Sequence, residues 1–172
     1  LTKVDAAPSS GANGTFTATN NTSKILVYMR GGGGASGNLT AGSPGNSGGG
    51  GLAGFGVLAT PISQPFSVPY ALGAAGNTGP VNSSGNAGTA STFNTNFVAN
   101  GGGGGARGGS PGAGGSMGSV TGSSNAIDLT SPGNQTGADK GVVQCGMGGS
   151  LQTTTTGNVG VAGGIKIYED IG

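Results

Sequence analysis

Polar and apolar positions alternate or run together in only a few parts of this chain, and those parts read as strands. Residues 24–30, KILVYMR, are β-branched and aromatic with almost no polar interruption, the strongest strand signal in the sequence. Their unbroken apolarity predicts burial on both faces. Residues 14–19, GTFTAT, alternate around Phe16 with β-favouring threonines. Asn20, Asn21, Thr22 and Ser23 between the two stretches have turn composition, so an antiparallel hairpin is expected over 15–30. Near the other end, IKIYEDI at 165–171 alternates and places Ile165, Ile167, Glu169 and Ile171 on one side. Residues 57–72 carry Pro61, Pro65 and Pro69, a spacing that forbids helix and implies an extended segment bearing Phe66 and Tyr70. Phe93 and Phe97 mark a further short extended piece, and Ile127 and Leu129 form a small apolar island in a polar loop.

The rest is dominated by glycine, which accounts for 43 of 172 residues, with 8 prolines. Residues 100–118, NGGGGGARGGSPGAGGSMG, suit neither α-helix nor ordinary strand, because each interior glycine costs roughly 0.5–1 kcal/mol relative to alanine. Such a segment either stays a flexible linker or folds in a form that needs the missing side chains. The extended threefold helix of the polyproline type is such a form: it leaves every N–H and C=O free to bond sideways, and only glycine lets two such backbones touch. Charged residues are 6% of the chain, so charge repulsion does not enforce disorder. The expected fold is therefore mainly irregular by standard assignment, with packed extended polyglycine-II-type helices on a small antiparallel β base and little or no α-helix. Residues 1–13 read as a linker and 14–171 as a single glycine-rich domain. Within it lie the hairpin at 15–30, the glycine-rich bundle at 31–164 and the closing strand at 165–171.

Charge and reactive side chains narrow the function. The formal net charge is +1. Lys3, Lys24, Arg30, Arg107, Lys140 and Lys166 are scattered singly, which argues against nucleic-acid binding. The longest apolar run, residues 25–29, is far too short for membrane insertion as a helix. Histidine is absent, so no histidine-based catalytic dyad or triad exists. Asp5, Asp128, Asp139, Glu169 and Asp170 are dispersed; neither a glycosidase pair nor a metal cage is expected. Cys145 has no basic neighbour and reads as a small apolar group. Gly32, Gly34 and Gly37 match a dinucleotide fingerprint in spacing, but no helix or correctly placed acid follows. No enzyme, cofactor or metal is expected.

The order of these motifs resembles the glycine-rich domains of bacteriophage tail fibres and tail-tip adhesins. GTFTATNNTSKILVYMRGGGG resembles their opening, FNTNFVANGGGGG the aromatic segment before their second glycine block, and GNVGVAGGIKIYEDI their close. The likeness covers residues 11–171; the glycine-poor segments 57–72 and 119–140 depart from it. The resemblance implies a non-enzymatic receptor-binding domain on the virion tail, outside the cell. Its partners would be a host surface protein or glycan and other tail-fibre or virion subunits. The alternative is a purely structural glycine-rich subunit of a virion or extracellular filament. An ice-binding role finds little support, since residues 153–156 form a single short threonine run. In adhesins of this type loops at the free end touch the receptor. Residues leaving the strand at 25–30 and residues returning to 165–171 both have to turn at that end. The expected contact residues are Asn38, Leu39, Thr40, Gln152, Thr153 and Thr154. Phe66 and Tyr70 join them as large, low-entropy contacts, or else cover the edge of the glycine bundle.

Overall fold

Along β3 (Thr22–Arg30) the side chains divide by parity. Ile25, Val27 and Met29 are completely buried, while Leu26 and Tyr28 on the other face are half-buried. That alternation sets the architecture. In the computed structural model, which describes residues 2–6, 13–38, 53–107, 119–122, 124–129 and 159–171, β3 lies at the centre of one of two five-stranded sheets. The first sheet has the order β1 (Thr2–Ala6), β10 (Gly164–Ile171), β3, β4 (Phe55–Pro61), β9 (Ala126–Asp128). The second has β2 (Asn13–Thr17), β5 (Ser67–Ala71), β6 (Ser91–Phe93), β7 (Phe97–Ala99), β8 (Val120–Thr121). All pairings are antiparallel. No helix occurs among the described residues.

The inner faces share one core. Ile25, Val27, Met29, Leu58, Ile165 and Ile167 come from the first sheet, and Phe16, Val68, Phe93, Phe97 and Ala99 from the second. Phe16 meets Phe66 edge-on at 6.4 Å and Phe93 in a tilted arrangement at 6.3 Å, separations at which aromatic pairs add to simple burial. On the outer face of the first sheet, Tyr28 and Tyr168 make a cross-strand edge contact at 5.9 Å.

Four expectations are corrected. The segments expected to pair as a hairpin over 15–30 do not pair: β2 and β3 lie in different sheets. Both edges of β3 are taken, by β10 and β4, and crossing to the other sheet lets Phe16 close over the face that β3 presents. The crossing turn is held by a Thr22 N–H to Thr19 carbonyl bond of 3.2 Å, with Asn21 at φ 75°. The buried Glu169 carboxylate accepts from the Thr19 N–H at 2.8 Å and from its hydroxyl. Second, residues 2–6, read as linker, form edge strand β1 on β10, which satisfies backbone groups that β10 would otherwise leave open. Third, the β region is larger than a small base, because 57–72 and 91–98 each supply two strands. Fourth, β3 is fully buried on one face only.

Glycine-rich segments continue from one end of both sheets. β3 runs into residues 31–38, β5 into 73–79 and β7 into 100–107; residues 83–89 lead back towards β6, and 159–163 feed β10. Residues 31–38 are buried at every position. Their backbone bonds recur at every third residue. The N–H groups of Gly32, Ala35 and Asn38 donate to the carbonyls of Thr89, Asn86 and Ser83 at 2.9, 3.0 and 2.8 Å. The carbonyls of Gly32 and Ala35 accept from Gly102 and Gly105, both at 2.9 Å. Gly33 accepts from Gly76 and donates to Val161. Outside this central pass, Gly88 and Gly85 donate to Gly102 and Gly105, and Gly160 and Gly163 to Gly76 and Gly73.

The same interval governs close approach. A Cβ on Gly31, Gly34 or Gly37 would collide with the carbonyls of Asn100, Gly103 and Ala106; one on Gly101 or Gly104 would meet those of Gly88 and Gly85. Side chains are excluded there by neighbouring backbone, as at the axis of a triple helix. Ser91, completely buried, ties this region to the sandwich: its hydroxyl accepts from the Gly73 N–H at 2.8 Å and donates to the Arg30 carbonyl at 2.6 Å.

Candidate functional site

The glycine-rich passes fix what lies at their far end. Residues 73–79 go out and 83–89 come back, joined by a turn through Pro80, Val81 and Asn82, with Asn82 at φ 67°, a conformation that asparagine tolerates better than most residues. The Ser83 hydroxyl closes the turn on the Pro80 carbonyl at 2.6 Å. From the neighbouring pass, the Arg107 N–H donates to Ser84 Oγ at 3.1 Å and its guanidinium to the Asn82 carbonyl at 3.4 Å. From the central pass, Asn38 donates its backbone N–H to Ser83 and its side-chain amide to the Gly79 carbonyl at 3.2 Å. Three passes thus hold one exposed turn. Val81 stands 63% exposed at its tip, beside the exposed Asn82 and Arg107.

The expected contact residues are not brought together. Asn38 reaches the far end but is 9% exposed, and its amide positions the turn from beneath. Its Oδ1 has no hydrogen-bond partner among the described residues. Phe66 and Tyr70 belong to the opposite end of the sandwich or its flank. Phe66 sits where its carbonyl accepts from Ala18, close to the Thr19–Thr22 turn, and both rings are half-buried against the β core. Leu39, Thr40, Gln152, Thr153 and Thr154 lie outside the described residues, as does Cys145. The turn at 79–84 was not singled out from sequence. Its signal is the Gly79-Pro80 pair followed by Asn82, Ser83 and Ser84 between two glycine runs.

The chemistry at this end is neutral hydrogen bonding and apolar contact, with Arg107 as its one cation among the described residues. Among the described residues no cluster of three or more His, Cys, Asp or Glu could hold a metal ion. Of the three glycines with dinucleotide-like spacing, Gly34 and Gly37 back onto the carbonyls of Gly103 and Ala106 and Gly32 onto Ala74. Chain packing accounts for that spacing.

An all-β sandwich extended by backbone-packed glycine passes defines a glycine-rich domain. The family model described as a glycine-rich domain matches residues 8–170, and the chain belongs to that family. Among curated proteins no sequence matches it.

Proposed function

We propose that this chain is a non-enzymatic attachment domain, an adhesin at the tip of a bacteriophage tail fibre. The glycine-rich passes act as a rack of polyglycine-II-type helices that presents the turn at 79–84 to a host surface protein or glycan. The three-residue interval of hydrogen bonds and carbonyl contacts supports the helical reading. Such helices have three residues per turn and bond only to their neighbours. The observation that carries the attachment reading is the exposed Val81 turn, pinned from three passes by Asn38, Ser83 and Arg107. A rigid tip binds with less ordering cost than a flexible one. The order of motifs that resembles tail-fibre adhesins supplies the virion setting, on the tail and outside the cell.

The test is adsorption of the purified domain to host cells, scored beside thermal stability. Val81→Ser and Arg107→Ala are expected to lower adsorption with the melting temperature unchanged, as are alanine replacements at 39–40 and 152–154; Asn38→Ala is expected to lower both, because its buried amide supports the turn from beneath. Adsorption is expected to vary little with salt, because long-range charge attraction contributes little. Unchanged adsorption in every folded variant overturns the reading.

A second reading, a structural subunit of a virion or extracellular filament, is favoured by the outer face of the first sheet. Leu26, Tyr28, Val57 and Tyr168 are half-buried there and Ile127 is 59% exposed, which suits stacking against another surface. Fibres that form spontaneously without cell binding favour this alternative.

A further inference from the structure

A cavity of about 130 Å³ lies at the end of the sandwich remote from the glycine passes, lined by Leu58, Thr60, Phe66, Phe93, Asn94 and Asn96. Its lining is sharply divided. Leu58 and Phe93 are almost fully buried and Phe66 half-buried, which gives an apolar floor. Thr60 and the two asparagines supply neutral hydrogen-bonding groups, and no charged residue is among the described residues that line the space.

The rim is held in a costly conformation. Asn94 and Thr95, in the turn between β6 and β7, have φ of 47° and 54°. The left-handed region is unfavourable for a β-branched residue, and such strain persists only where the surroundings impose it. They do so from two sides. The Asn94 N–H donates to the Pro69 carbonyl at 2.9 Å. On the other side Gly122, at φ 106°, packs so closely that an added Cβ would lie 2.6 Å from the Asn96 carbonyl. The Thr95 hydroxyl donates to Asn96 Oδ1 at 3.4 Å, so the strained residue orients one of the rim amides.

We infer that this cavity is a binding site for one neutral pyranose ring, distinct from the surface at 79–84. A cavity of about 150 Å³ holds benzene; at about 130 Å³ and open on one side, this one receives one face of a pyranose ring, with the outer hydroxyls left in solvent. A pyranose has C–H faces that suit the Leu58, Phe66 and Phe93 floor. Its equatorial hydroxyls each donate and accept. An asparagine side chain offers one acceptor and two donors on adjacent atoms, a match to vicinal hydroxyls, and the Thr60 hydroxyl, which donates to the Pro61 carbonyl at 3.2 Å, retains acceptor capacity. The absence of charge among the described lining residues selects against acidic sugars and phosphorylated ligands.

The experiment is titration of the intact chain, labelled with nitrogen-15, with the methyl α-pyranosides of glucose, galactose and mannose, following the side-chain amides of Asn94 and Asn96. At least one glycoside is expected to produce saturable shifts with a dissociation constant of about 1–10 mM. Asn96→Ala, at an exposed position that leaves folding intact, is expected to weaken it at least fivefold; Phe66→Leu, which keeps an apolar floor without the ring, weakens it too. Absence of shifts with all three glycosides up to about 50 mM overturns the inference, given that useful single-ring affinities are millimolar. Binding of toluene without binding of any glycoside overturns it as well, and makes the cavity a socket for an apolar group. Hexoside binding that Asn96→Ala and Phe66→Leu leave unchanged places the site elsewhere and overturns it. The inference stands apart from the attachment reading. Cell adsorption without hexoside binding overturns only the cavity site, and hexoside binding without cell adsorption only the adhesin.

Discussion

Ser91 shows how much depends on single side chains where two kinds of structure meet. Its buried hydroxyl satisfies the N–H that opens the 73–79 pass and the carbonyl that ends β3. Ser91→Ala removes both bonds at once and takes the acceptor from the buried Gly73 N–H, so a loss of about 1–3 kcal/mol is expected in denaturant unfolding. Ser91→Cys, larger and a weaker hydrogen-bonding group, is not expected to restore it. Thr95 behaves in the opposite sense. Its left-handed backbone costs about 1–2 kcal/mol, of which a glycine would return part after its own entropy loss. Thr95→Gly is therefore expected to stabilise the fold by roughly 0.5–1 kcal/mol, measured by the same unfolding experiment. If it instead destabilises, the turn is not strained in solution.

Among the elements, β3, β10 and the aromatic segments were legible because they carry contiguous or alternating apolar residues. The partnership of β2 with β5 was not. Local sequence shows only that Phe16 needs a buried face; which sheet provides it depends on Phe66 and Phe93, 50 and 77 positions later. Strand β1 was illegible for a related reason, since its register is set by the free edge of β10. The site was less legible than the fold. Phe66 and Tyr70 looked like contact residues because aromatic rings among prolines read as a loop, whereas Val68 between them is buried in the core. A sharper signal was present and overlooked: glycines three apart at 31, 34 and 37, at 73, 76 and 79, and at 101 and 104. That interval is the one at which a threefold extended chain returns to the same side. The element-scale prediction follows from it. Gly34→Val and Gly104→Val each place a side chain inside a neighbouring carbonyl and are expected to cost more than about 3 kcal/mol. Ala74→Ser, at an exposed position in an adjoining pass, is expected to change stability by less than about 0.5 kcal/mol. Equal tolerance of all three substitutions would mean that the passes are not packed in solution.

For the whole molecule, the question is whether the glycine passes and the sandwich are one folding unit. Each outgoing pass is the direct continuation of a core strand: β3 into 31–38, β5 into 73–79, β7 into 100–107. Opening a pass therefore requires either releasing the strand behind it or breaking its sideways bonds to several neighbours together. Residues 31–38 bond to segments at 54, 76, 83–89, 102–105 and 161, so no part of this pass opens alone without orphaning buried backbone groups. Cooperative unfolding is the consequence. Far-ultraviolet signal from the sandwich and tyrosine fluorescence from Tyr28 and Tyr168 are expected to report the same midpoint as the exchange behaviour of the glycines. Hydrogen exchange makes the sharpest distinction. The amides of Gly32, Ala35, Gly102 and Gly105 lie outside every strand, yet each donates within the packed region. They are expected to exchange as slowly as the amides of Val27 and Ile167 in the core, through the global unfolding reaction. A flexible glycine linker would exchange those four amides at the rate of an unprotected chain while the β core stayed protected. That outcome would detach the glycine region from the fold and remove the rigid rack on which the proposed presentation of the 79–84 turn depends.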